Sequence, residues 1–221
     1  MNDQRAELSW TEAGVPVSER FDDPYFSLQN GLEETRHVFL SGNDLPGRFA
    51  PGFHIAELGF GTGLNMLTVW SEWERSGQTT PLHFTSFEAF PMEQAEMARA
   101  LAAFPEIAPW TDRFLNGWDG QCCKLDTLHL NVIHGDARET LGAWTAQADA
   151  WFLDGFSPAR NPELWQPDLM AQVAKHTRIG GTAATYTAAG FVRRGLEDAG
   201  FSVTRTQGYG RKRHMTRAVK A

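Results

Sequence analysis

The stretch Phe53-His-Ile-Ala-Glu-Leu-Gly-Phe-Gly-Thr-Gly-Leu-Asn65 constrains this chain most tightly. Six mostly apolar residues run into a turn with glycines at 59, 61 and 63, and an apolar helical pattern follows at once. A strand that turns through alternating glycines into a helix belongs to an α/β architecture, because glycine alone reaches left-handed backbone without strain. A dinucleotide fingerprint would place its third glycine at 64, where this chain has Leu64. Glu57 sits two residues before the first glycine, so an acid leads the turn.

From residue 53 onward, strand-like and helix-like patterns alternate, as expected for a parallel sheet covered by helices. Strands are expected at 53–58, 82–88, 128–134, 150–154 and 182–187, with helices over 64–74, 92–103, 163–175 and 191–199. Gly200 then caps the last helix. Segments 201–207 and 214–219 flank Gly208-Tyr-Gly210 and predict an antiparallel hairpin at the sheet edge, making seven strands in all. The expected organisation is an N-terminal cap or substrate-recognition segment over 1–50 and a Rossmann-like domain over 51–221. Residues 104–127, rich in Pro and Trp, fall between the second and third strands. They are read either as a recognition element or as a passive cover.

No segment approaches the ~18 uninterrupted apolar residues of a membrane helix. The opening Met1-Asn-Asp-Gln-Arg-Ala-Glu lacks the basic-then-apolar pattern of a secretion signal. The two cysteines, Cys122 and Cys123, are adjacent, a poor arrangement for a disulfide or a zinc site. No metal is expected, and a cytoplasmic location is. The net charge is −7, but its distribution is uneven. From Ala171 to the end there are ten Lys or Arg and two acids, which leaves the first 170 residues at −15. Such asymmetry is a hint of nucleic-acid contact, although a solvated basic face has the same composition.

The acid-x-Gly-x-Gly-x-Gly spacing resembles the S-adenosylmethionine loop of Rossmann-like class I methyltransferases, so Gly59, Gly61, Thr62 and Gly63 are expected at the cofactor. A ribose presents two hydroxyls, and Glu88, closing the second strand, can accept from both. Asp136 ends the third strand, where an acid can bind the adenine amino group or cap the next helix. Glu57 either fixes the loop or meets the amino-acid part of the cofactor. In Asp149-Ala-Trp-Phe-Leu-Asp154 an apolar strand delivers a carboxylate to the sheet's carboxyl edge, followed by Gly155-Phe-Ser-Pro158. Amine methyltransferases carry similar residue types at this point. An alkylamine, with a pKa near ~10, must lose its proton before it can attack. Asp154 is therefore expected to orient the amine, accept its proton, or both. Phe156, Tyr25 and Phe26 either stack on a base or sulfonium or belong to the core.

With Asp154-Gly-Phe-Ser-Pro-Ala-Arg-Asn-Pro-Glu-Leu-Trp165 in view, the chain resembles the methyltransferase domain of the bacterial MnmC family, whose stand-alone form is MnmD. Arg20-Phe-Asp-Asp-Pro-Tyr-Phe-Ser27, Gly31-Leu-Glu-Glu-Thr-Arg-His-Val-Phe39, Phe87-Glu-Ala-Phe-Pro91, Gly190-Phe-Val-Arg-Arg-Gly-Leu196 and Gly208-Tyr-Gly-Arg-Lys-Arg213 carry the same resemblance. It implies methylation of the aminomethyl nitrogen of 5-aminomethyl-2-thiouridine at the tRNA wobble position. It also implies that Tyr25, Asn30, Glu33, Glu34 and Thr35 of the leader close the pocket. Arg193, Arg194, Arg211, Lys212 and Arg213 would then meet phosphates of the anticodon stem-loop. The aminomethyl acceptor would arrive directly or from a flavin-dependent oxidase acting as a separate protein. The remaining readings are methylation of a small-molecule or protein amine, and a noncatalytic RNA-binding domain.

Overall fold

The computed structural model describes residues 5–27 and 30–221; of the opening segment read above for a secretion signal, residues 1–4 lie outside it. Its centre is an eight-stranded sheet, in the spatial order Phe201–Gln207, His214–Lys220, Thr177–Thr185, Ala148–Leu153, His54–Leu58, Leu82–Glu88, Leu128–His134 and Cys122–Leu125. Five strands are parallel: β4 (His54–Leu58), β5 (Leu82–Glu88), β7 (Leu128–His134), β8 (Ala148–Leu153) and β9 (Thr177–Thr185). The three central ones, β4, β5 and β8, are almost continuously buried, the pattern of strands covered on both faces. At one edge, β10 (Phe201–Gln207) and β11 (His214–Lys220) form the expected hairpin, and β11 pairs antiparallel with β9.

The other edge departs from the seven-strand expectation. Segment 104–127 supplies helix α4 (Ala108–Gly117) and a further strand, β6 (Cys122–Leu125), antiparallel to β7. Of the other boundaries, two move furthest. Strand β9 begins five residues early, with an irregular register to β8 around Gly180 and Gly181. Helix α6 (Pro167–Lys175) starts at its proline, behind a separate 3-10 turn over Pro162–Trp165.

The remaining helices are α2 (Leu64–Arg75), α3 (Gln94–Leu101), α5 (Ala137–Thr140) and α7 (Gly190–Asp198). Two buried clusters lie on opposite faces of the sheet. One joins α2 to Ile55, Phe84, Ala150 and Phe152; the other joins α6 and α7 to Ala56, Leu58, Trp151 and Leu153. The alternation follows the two-residue strand period. It decides the site, because Glu57, Ser86, Glu88 and Asp154 continue the α2 face.

The leader forms a small sheet of β1 (Leu8–Trp10), β2 (Pro16–Ser18) and β3 (Asp23–Pro24), then helix α1 (Gly31–Thr35), which runs on through a π turn at Arg36–Leu40. Leu32, Val38, Phe39 and Leu40 join the core cluster of α2. That is why α2 is buried almost all round, from Leu64 through Ser71. No helix among the described residues is long and apolar enough to cross a membrane.

Candidate functional site

The chain runs from β4 outward to β5 and β7, then returns to place β8 on the other side of β4. Strand order therefore reverses between β4 and β8, and the carboxyl ends there open a crevice, the usual ligand position in such sheets. A cavity of about 1570 Å³ occupies it, walled by the glycine turn, the ends of β5, β7 and β8, the leader and the hairpin tip. This exceeds the ~300–1,000 Å³ of a common small-molecule pocket and leaves room for two ligands side by side.

The glycine turn has physical reasons for its composition. Gly59, Gly61 and Gly63 take φ values of 88°, 53° and 80°. A Cβ on Gly59 would stand 2.2 Å from the Asp154 carbonyl oxygen, so this glycine lets β4 and β8 close on each other. A Cβ on Gly61 would reach the Tyr25 ring at 3.0 Å. The Gly61 N–H donates to one Glu88 oxygen at 3.0 Å and the Phe90 N–H to the other at 2.8 Å, which sets the carboxylate on the cavity wall. Gly59, Gly61 and Thr62 line the cavity; Gly63 instead starts α2 and faces Phe60.

Two acids meet at one amide. Asn65 Nδ2 donates to Glu57 Oε1 at 2.9 Å and to Asp154 Oδ2 at 2.6 Å, while its Oδ1 accepts from the Thr35 hydroxyl at 2.8 Å. Glu57 is fully buried and does not line the cavity. Its second oxygen accepts from Ser86 at 2.8 Å. Of the two readings for Glu57, the geometry has it bracing the loop from beneath. Burial pushes its carboxyl well above the usual range, opposed by the Asn65 bond and reinforced by Asp154.

Asp154 opens to the cavity from within a protein wall. Loss of water raises its pKa to about 7; the Asn65 bond lowers it, Glu34 raises it, Lys212 lowers it and Asp23 raises it. Asp136 lies on the wall as well, and it caps α5 by accepting from the Arg138 N–H at 2.9 Å. The Arg138 guanidinium holds its carboxyl below the usual range.

From the leader, Tyr25, Glu34 and Thr35 reach the cavity. Tyr25 packs edge-on against Phe156, 5.0 Å between centroids, and Phe21 stacks on Phe156 at 4.7 Å. Phe26 packs edge-on against Phe104, also at 5.0 Å. Asp23 accepts from the Ser157 N–H at 2.8 Å, fastening the leader to the loop after β8. Asn30 caps α1 by accepting from the Glu33 N–H, and Glu33 pairs with Arg36; neither residue lines the cavity.

Arg211 and Lys212 lie at the cavity, with Arg213 exposed beside them. Arg193 and Arg194 sit on α7, whose Val192 and Leu196 pack against the opposite face of the sheet. Nothing from 104–127 touches the cavity: Trp118 stacks on Phe60, while Trp110 and Arg113 bond Glu74 on α2.

Two wall residues escaped the sequence reading. Asn65 was in view within the turn, but a single amide at a helix start has many uses. Tyr186 follows β9, beside Asp154 across the sheet, and its hydroxyl donates to the Gly155 carbonyl at 2.8 Å. Its place after a strand end was the available signal.

Residues 106–221 match the model of a family described as S-adenosyl-L-methionine-dependent methyltransferases. The chain is similar to the crystal structure of MNMC2 from Aquifex aeolicus, with 25% identity and a TM-score of 0.77 over 98% of this chain and 71% of that one. It also shares its fold with precorrin-6y C5,15-methyltransferase from Geobacter metallireducens, at 12% identity and a TM-score of 0.53 over 96% and 98% of the two chains. TrmN from Thermus thermophilus aligns at 14% identity and a TM-score of 0.50, over 82% of this chain and 47% of its own. The glycine turn lies before the matched family region.

Proposed function

The chain belongs to a family of S-adenosyl-L-methionine-dependent methyltransferases, and from that premise we propose that it methylates the aminomethyl nitrogen of 5-aminomethyl-2-thiouridine at the tRNA wobble position. The observation that carries this reading is the Asp154 carboxylate on the cavity wall, held by Asn65 at the point where strand order reverses. The similarity to MNMC2 over 98% of the chain supports the choice of acceptor.

The residues present fit the cofactor. Gly59 and Gly61 present backbone without side chains to the cavity, Glu88 faces it and would take the ribose hydroxyls, and Asp136, also on the wall, would take the adenine amino group. When bound, the cofactor supplies a methyl group already activated on a sulfonium. The protein's part is then alignment and removal of one proton. Asp154, ionised above about pH 7, accepts a hydrogen bond from the incoming amine and takes its proton on a carboxylate oxygen. Asn65 holds one oxygen of that carboxylate with an N–H bond while its other N–H holds Glu57. Tyr25, Phe21 and Phe156 line the cavity with rings suited to stacking a base. Arg211 and Arg213 at the rim supply cations for the RNA backbone.

The test is chemical. Protein, cofactor and tRNA carrying 5-aminomethyl-2-thiouridine are incubated, and the nucleosides are then separated by mass. One added CH2 on that nucleoside is expected; its absence with folded, cofactor-binding protein would overturn the proposal.

A further inference from the structure

Lys212, at the tip of the β10–β11 hairpin, turns its side chain inward. Its Nζ lies 2.8 Å from Glu34 Oε1 and 3.9 Å from the centre of the Tyr186 ring. Glu34 comes from α1, Tyr186 follows β9, and Asp154 ends β8, so three separate elements converge on this ammonium. Tyr186 is fixed by its hydrogen bond to Gly155, the residue after Asp154. The charges of Glu34 and Lys212 both act on Asp154, which sets all of them in one neighbourhood. The Glu34 side chain is 13% exposed, whereas that of Lys212 is 46% exposed. The acceptor groups belong to the wall, and the cation is a visitor from a loop.

We propose that Glu34 and the face of Tyr186 form the subsite that captures the acceptor's amine as its ammonium ion, and that Lys212 fills this subsite until substrate displaces it. The inference rests on the acceptor being a primary amine, as proposed above. An ammonium over an aromatic face and against a carboxylate is recognised by charge and by ring quadrupole together. The lysine side chain ends in the same group as an aminomethyl substituent. When the substrate ammonium takes the place of Nζ, it arrives beside Asp154, to which it passes its proton. Lys212, freed, moves outward with the hairpin tip, where Arg211 and Arg213 already stand. Glu34 and Tyr186 then select for a charged amine.

The experiment uses the full chain and the free nucleoside 5-aminomethyluridine, titrated by NMR at neutral pH, with 5-methyluridine as its uncharged counterpart. Lys212→Met, which keeps the length and removes the charge, is expected to bind the amine about tenfold more tightly than the parent chain and 5-methyluridine no more tightly. Adding Glu34→Gln should abolish the gain, Tyr186→Phe should preserve it, and Tyr186→Leu should reduce it. In the parent chain the Lys212 Nζ resonance should shift as the amine is added. An unchanged affinity in Lys212→Met, or an equal gain for 5-methyluridine, would overturn the proposal and leave Lys212 as a latch between hairpin and leader. If the amine binds as expected but tRNA gains no methyl group, the subsite stands and the tRNA acceptor falls. If tRNA is methylated and the Glu34 dependence is absent, the subsite alone falls.

Discussion

Asn65 has two N–H bonds to give, and both go to carboxylates. Removing them in Asn65→Ala leaves an oxygen of buried Glu57 and one of Asp154 without a donor, at a cost of about 1–3 kcal/mol in stability. Because the Asn65 bond lowers the Asp154 pKa, its loss should also move the acid limb of the pH–rate profile to higher pH, a shift that a packing defect alone would not cause. The groups facing Asp154 are Asn65, Glu34, Lys212, Asp23 and Tyr186, with Glu57 beyond Asn65. Glu57 and Asp154 both hold protons more tightly in the folded chain than in the unfolded one. Their contribution to stability is complete below about pH 4 and is lost as pH rises through about 7 for Asp154. Asp154→Asn should therefore raise Tm at about pH 8 and leave it nearly unchanged at about pH 4, as followed by circular dichroism. Asp154 and Glu88 were legible in the sequence because each closes an apolar strand, where a carboxylate has few structural reasons to be. Tyr186 was not, since an aromatic residue beside a strand end also reads as core.

At the scale of elements, the turn between β4 and α2 permits a controlled comparison. Gly59 and Gly77 have nearly the same backbone, φ 88° and 82°. A Cβ on Gly77 meets nothing within 4 Å, whereas one on Gly59 collides with the Asp154 carbonyl. Gly77→Ala should lose about 1 kcal/mol from left-handed strain alone. Gly59→Ala should lose about 3 kcal/mol or more and weaken cofactor binding as well, measured by urea unfolding and calorimetry. Strands β4, β5, β7 and β8 could be read from sequence because each carries apolar residues at the two-residue strand period or in a short run. Strand β6 could not, because Cys122-Cys-Lys-Leu125 is short, lies at an edge and follows Asp119-Gly120. The early start of β9 was hidden by Gly180 and Gly181, which read as a break but sit inside the strand.

In the whole molecule, the leader packs on the same face of the sheet as Glu57, Glu88 and Asp154, and the hairpin tip reaches it through Lys212 and Glu34. The charge asymmetry of the sequence thus becomes a spatial one, with an acidic cavity bordered by a basic rim. Arg211→Glu together with Arg213→Glu should weaken tRNA binding and reduce its salt dependence by about 1–2 units of slope while leaving cofactor affinity intact. Sequence asymmetry alone did not reveal that Arg193 and Arg194 ride on a helix of the opposite face. The reversal of strand order brings one carboxylate to the cavity, and the claim at the centre of this account is that this carboxylate relieves the amine of its proton. The pH dependence of kcat under saturating cofactor and tRNA, compared between the parent chain and Asp154→Asn, tests it most directly. The expected result is an acid limb near pH 7 in the parent chain. In Asp154→Asn that limb should be gone, with turnover at least ~100-fold lower and cofactor affinity unchanged. A profile and rate that survive the substitution would contradict the account.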